Sequence, residues 1–89
     1  MRVINDIQIE VSEIIILKNT LLNKRNVFTL KRTLFIAEIK SIMEHKYLVE
    51  NNYASCSMII LEDEFFKVKD DYSELLTCWT DWWNSRPKD

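Results

Sequence analysis

Glycine is absent from this 89-residue chain, and proline occurs once, at Pro87. Nucleotide-binding fingerprints need glycine where the backbone approaches phosphate and no Cβ fits, so a phosphate loop or dinucleotide motif is excluded. Cysteine is scarce as well. Cys56 and Cys78 stand far apart without a CxxC, which makes neither a zinc knuckle nor a disulfide framework, and both are expected as buried thiols. The one histidine, His45, lies in "MEHKY" with no oriented partner of the kind a general base requires, and is expected at the surface. No apolar run approaches the roughly 18 residues that span a bilayer, and "MRVINDIQIE" lacks the apolar stretch of a signal peptide. These absences predict a cytoplasmic chain with no membrane partner, no cofactor and no metal.

The residues present are those of a globular protein. Hydrophobic residues make up 47% and charged residues 29%, enough apolar surface to offset the ordering entropy of folding. The length predicts a single domain over residues 1–89 with a thin stability margin. Ile, Asn, Lys, Phe and Tyr total 33 residues against 7 for Gly, Ala, Arg and Pro, the bias an AT-rich coding sequence produces. That bias points to a low-GC bacterium, or to one of its phages or mobile elements.

Periodicity marks a C-terminal helix over residues 71–86. Tyr72, Leu75, Leu76, Trp79, Trp82 and Trp83 recur on one face of a 3.6-residue period, Asp71 and Glu74 have capping-box spacing, and Pro87 ends the run. Ahead of it, "SCSMIIL" and "FFKVK" flank the acidic turn Glu62-Asp63-Glu64 and read as a hairpin with Phe66 and Val68 on one face. With no Gly or Asn in that turn, a loop longer than two residues is expected. A second hairpin is signalled by "LLNKRNVF", where Asn23 and Asn26 bracket Lys24 and Arg25, followed by a half-buried strand pattern at Phe28, Leu30, Leu34 and Ile36. Two stretches fit either period. Five isoleucines among residues 7–16 favour strand over helix there, since β-branched chains lose rotamer freedom in helices. Ile36, Ile39, Ile42 and Met43 suggest a short helix near residues 37–48. The predicted fold is α+β: a small antiparallel sheet of about four strands packed against the C-terminal amphipathic helix.

Charge divides along the chain. Lys18, Lys24, Arg25, Lys31 and Arg32 occupy residues 14–37 without an acid, whereas Glu62, Asp63, Glu64, Asp70, Asp71, Glu74 and Asp81 crowd residues 62–81. Lys24, Arg25, Lys31 and Arg32, with Phe28 as a stacking surface, form a candidate phosphate-contacting hairpin. The net charge of −2 weighs against it, because nucleic-acid domains usually carry a positive excess. The acids are candidates for a surface that occupies a basic groove on another protein, although helix N-terminal preference and loop solvation account for most of them. The strand "SCS" lacks the glycine elbow that exposes a nucleophile, and no carboxylate lies in an apolar setting that would tune a catalytic pair, so an enzyme is not expected.

Trp82 and Trp83 are adjacent and point about 100° apart on a helix, so they cannot both enter the centre of one core. The surplus indole, with Tyr72, is a candidate protein contact, because Trp, Tyr and Arg most often dominate binding energy. Three functional classes remain. The leading one is a non-catalytic protein-binding module, specifically a phage or mobile-element inhibitor that occludes a host defence or nucleic-acid enzyme through Trp82, Trp83, Tyr72 and the seven acids. The others are a small nucleic-acid-binding regulator and a self-associating homodimer.

Overall fold

The computed structural model describes residues 1–19, 21, 24–49 and 51–85, and the side chains of all of these except 19, 24 and 25. Asn23 of the expected hairpin turn, and Arg86 and Pro87 beyond the helix, lie outside the described residues. The fold is α+β, a small antiparallel sheet with one C-terminal helix. Its elements are β1 (Arg2–Val3), β2 (Gln8–Asn19), β3 (Lys24–Phe35), a 3-10 turn (Ile36–Glu38), β4 (Ser41–Val49), β5 (Asn52–Ile60), β6 (Phe65–Val68) and α1 (Tyr72–Asn84).

β2 organises the sheet. Along one side it pairs over its whole length with β3, from Gln8↔Phe35 to Asn19↔Lys24. Along the other it pairs first with β1, at Val3↔Ile9, and then with β6, at Glu13↔Val68. β6 pairs with β5 and β5 with β4, so β3 and β4 are the two outer strands. Six strands replace the expected four because the N-terminal residues add β1 and because most of the short helix expected near residues 37–48 is instead β4, Ser41–Val49.

That difference has a local cause. Ile36 and Ile39 sit in and just after a 3-10 turn, where residues three apart eclipse, and both are buried. Ile42 then opens β4 and is also buried. A turn followed by a strand therefore places isoleucines three residues apart and imitates a helical stripe.

Two apolar clusters hold the sheet. The larger contains Ile9, Val11, Leu34, Ile36, Ile39, Ile42, Ile59, Phe66, Val68 and Leu75, with Tyr72, Cys78, Trp79 and Trp82 packed against it. The smaller joins the two long hairpins through Ile14, Tyr47 and Cys56, with Val27, Val49 and Ala54 around them. Val11 and Ile14 lie on opposite faces of β2, since their separation is odd. One strand thus serves a different cluster from each face, which is why residues 4–21 match both a strand and a helix pattern. Phe28 and Leu30, expected on the buried face of a half-buried strand, are exposed, and only Leu34 and Ile36 of that run enter the core.

The molecule measures 56 × 23 × 19 Å with a radius of gyration of 14.9 Å. A compact chain of this length would have about 12 Å. The 12-residue strands of the β2–β3 hairpin account for the elongation, since each spans about 40 Å at 3.4 Å per residue.

The start of α1 is fixed by hydrogen bonds. Asp71 is the N-cap, and its carboxylate accepts from the Glu74 amide at 3.1 Å. Asp70 is buried. Its carboxylate accepts from the Ser12 amide at 2.7 Å and ion-pairs with the Met1 amine at 2.6 Å, while its carbonyl accepts from the Ser57 hydroxyl at 2.9 Å. Between β6 and α1 the chain is therefore tied to Met1, β2 and β5 at one residue.

Candidate functional site: an acidic groove between the N-terminal segment and the helix

The N-terminal segment folds back locally. The Asn5 side chain accepts from the Ile7 amide at 2.9 Å and donates to Gln8 at 2.8 Å, and the Ile4 amide donates to the Gln8 carbonyl at 3.0 Å. This Asx-type turn brings Asp6 against α1, where the Trp82 indole Nε1 donates to the Asp6 carbonyl at 2.7 Å. Between the segment and the helix runs a groove of about 780 Å³. Its apolar wall is formed by Met1, Val3, Ile36, Cys78 and Trp82, and the carboxylates at its rim are Asp6, Glu74 and Asp81. Among the described residues, no cationic group lines it apart from the Met1 amine, which is held by Asp70. Trp83 stands beside it, 46% exposed, with its ring 5.0 Å from Trp82 in an edge-to-face arrangement at 85°.

The sequence-derived interface residues divide accordingly. Trp82, Glu74 and Asp81 meet at the groove and Trp83 adjoins it. Tyr72 is half-buried against the main cluster, so its ring serves packing. Asp70 is a buried tie, which removes it from the candidate acidic surface, whereas Asp71 caps the helix and stays exposed. Glu62, Asp63 and Glu64 lie in the loop closing β5 and β6, whose four residues are held by the Leu61 amide donating to the Glu64 carbonyl at 2.8 Å. They are a separate patch, and Glu64 is already engaged by Arg32.

The basic set also comes apart. The Arg32 guanidinium donates to Glu13 at 2.9 Å, reaches Glu64, and lies over the Phe66 ring. Burial opposes its charge, but the hydrogen bonds and charges of Glu13 and Glu64 together push its pKa further up. Lys31 is exposed, and the side chains of Lys24 and Arg25 lie outside the described ones. Of the proposed phosphate-contacting cations, Arg32 is thus committed within the molecule.

A second cleft, of about 510 Å³, places His45 near Cys56, which are register partners on β4 and β5. Burial pushes the Cys56 thiol up, with only partial relief from Lys67, the reverse of what a nucleophile needs. The His45 ring nitrogen Nδ1 is within 2.9 Å of the Lys46 carbonyl. Among the described residues, no three His, Cys, Asp or Glu side chains gather as a metal site would require, and no helix is long and apolar enough to cross a membrane.

Sequence reasoning did not find Asp6, Val3 or Cys78 as groove residues. The dipeptide Asn5-Asp6 carries a turn signal that would have folded the N-terminus back. Cys78 and Trp82 lie three and seven positions after Leu75, the same helical spacing that identified Trp79. The chain matches no protein-family model, no curated protein and no solved structure.

Proposed function

We propose that this protein is a non-catalytic protein-binding module, and that the groove between its N-terminal segment and α1 receives a cationic, apolar segment of a partner protein. The observation that supports it best is the combination of an apolar wall with Asp6, Glu74 and Asp81 at the rim. Such a site favours a ligand that buries hydrocarbon while presenting Lys or Arg to the acids, and complementary charge speeds encounter. The exposed Trp83 extends the contact, since Trp is enriched where binding energy concentrates. A small, glycine-free, AT-biased chain fits a phage or mobile-element inhibitor that occludes a basic surface on a host defence or nucleic-acid enzyme. The nucleic-acid-binding alternative has less support, because Arg32 is spent on Glu13 and Glu64.

The test is selection from a displayed library of random 15-residue peptides. Selected peptides should combine Lys or Arg with large apolar residues. Their binding should weaken with salt and be lost in a Glu74→Lys/Asp81→Lys variant, yet survive Glu62→Lys/Asp63→Lys. Peptides of no common charge, or binding indifferent to the groove variant, would overturn the reading.

A further inference from the structure

The far end of the molecule carries a different surface. β3 pairs on one side with β2, and among the described residues no strand pairs with its other side, which leaves a 12-residue edge able to template another strand. Leu17 on β2 and Phe28 and Leu30 on β3 are 53%, 40% and 55% exposed. All three lie on one face of the hairpin, because Ile15↔Phe28 and Glu13↔Leu30 are cross-strand partners and Leu17 follows Ile15 by two. Protected edges carry a bulge, a proline, a covering loop or charged side chains, and of these β3 has the last, at Lys24, Arg25, Lys31 and Arg32. β2 and β3 pair without interruption from Gln8 to Asn19, and β3 contains no proline.

We infer that this edge joins a second copy of the chain, with β3 pairing antiparallel to its counterpart about a two-fold axis at Thr29. The register follows from charge and apolar matching. A two-fold perpendicular to the sheet preserves faces, so each residue meets one of the same parity and some residue meets itself. Centred on Thr29, the pairing sets Phe28 opposite Leu30 twice, Thr29 opposite itself, Lys31 opposite Val27 and Arg32 opposite Asn26. No cation then faces a cation. Centring on Phe28 sets Lys31 opposite Arg25 and Arg32 opposite Lys24, and centring on Lys31 sets that lysine against itself; like charges directly opposite are destabilising. Centring on Leu30 sets Phe28 opposite Arg32 and keeps one apolar pair where Thr29 keeps two. Across the four-stranded unit formed by the two hairpins, the exposed Leu17, Phe28 and Leu30 of both copies become one continuous apolar stripe.

The size of the surface sets the strength. Pairing edge to edge in the plane of the sheet leaves the hairpin face open and buries only the β3 edge and the flanks of the facing side chains, less than the ~800 Å² per partner of a standard interface. The dimer is therefore concentration-dependent. It stands independently of the groove, which lies between the N-terminal segment and α1.

Sedimentation equilibrium from low to high micromolar concentration tests the association, with disulfide trapping to test the register. Opposite residues in antiparallel strands have Cα atoms about 4.5–5.5 Å apart, within the disulfide range, so Thr29→Cys should cross-link to its own copy under mild oxidation. Thr33→Cys, on the same face, would lie about 27 Å from its own copy and should link far more slowly. Phe28→Lys/Leu30→Lys should weaken the dimer by at least about tenfold, a loss of roughly 1.4 kcal/mol. A chain that stays monomeric throughout, a dimer unaffected by the Phe28/Leu30 change, or Thr33→Cys linking as fast as Thr29→Cys would each overturn the inference. The cross-linking readout holds even if the double lysine variant fails to fold.

Discussion

The Arg32 guanidinium lies 4.0 Å from the centroid of the Phe66 ring, joining β3 to β6 although the two strands do not pair. Glu13 on β2 and Glu64 in the loop before β6 complete the cluster. A cation over a buried ring is stabilised by the ring quadrupole, and the planar fork serves two carboxylates at once.

Replacing Arg32 with Lys keeps the charge but loses the stacking and the second carboxylate. Arg32→Lys should cost about 1 kcal/mol and Arg32→Ala about 2, with the Arg32 side chain 30% exposed and the ion pairs discounted for solvent screening. Urea unfolding of both variants, alone and combined with Glu64→Gln, measures the coupling. If Arg32→Ala leaves stability unchanged while abolishing a measurable affinity for RNA or DNA, the basic hairpin regains its claim.

Trp79 and Trp83 should separate stability from surface contact. Trp79 packs on the main cluster with its Nε1 buried and, among the described residues, without an acceptor, so the ring volume outweighs its polar atom. Trp79→Ala should cost about 3–5 kcal/mol, as cavity-forming aromatic deletions do. Trp79→Phe should cost no more than about 1.5 kcal/mol, because removing an unsatisfied donor offsets part of the lost contact. Trp83→Ala should shift the thermal midpoint little and weaken the binding of peptides selected on the groove. Equal destabilisation by Trp79→Ala and Trp83→Ala would show that Trp83 is a packing residue.

The helix was legible in the sequence because periodicity, cap and acidic first turn agreed, and Asp71 caps as its spacing with Glu74 predicts. The β5–β6 hairpin was legible from two β-branched and aromatic runs around an acidic turn, whose lack of Gly and Asn implied a loop longer than two residues. β4 was not. As an outer strand it buries Ile42 and Tyr47 with exposed residues between them, which leaves no period-two signal, and the 3-10 turn before it supplied a false helical one. The groove was half legible: Trp82, Glu74 and Asp81 stood out as residue types, whereas Asp6 and Val3 enter only through a turn whose closing partner, Trp82, is 76 positions away. Charge counting also misled, because Asp70 and Arg32 were counted as surface and are consumed by contacts remote in sequence.

The two adjacent acids before α1 should differ sharply. Asp71→Ala removes one N-cap bond and should cost about 1 kcal/mol. Asp70→Ala removes a charged acceptor from the Ser12 amide and the counter-ion of the Met1 amine in a buried setting, and should cost about 2–3 kcal/mol. Chemical unfolding of the two variants compares them directly. The tie assigned to Asp70 is refuted by a variant as stable as Asp71→Ala.

The two thiols carry the pH dependence that can be read from the fold. Burial pushes both Cys56 and Cys78 up, with Lys67 partly opposing the shift at Cys56 and Asp81 adding to it at Cys78. Folding therefore favours the protonated thiols. Their stabilising contribution is complete below the ordinary thiol value of about 8.5 and is lost as the pH climbs through the raised folded values. Between about pH 8 and 10 the thermal midpoint should fall more steeply in the parent chain than in a Cys56→Ala/Cys78→Ala variant, which lacks these titrations. Iodoacetamide should alkylate the buried Cys56 far more slowly in the native chain than in urea at about pH 8, whereas Cys78, expected buried but found half-buried on the groove wall, should be slowed less, since the thiolate is the reactive form. Parallel pH profiles for parent and variant, or native alkylation as fast as unfolded, would place the thiols in water rather than against the sheet and helix.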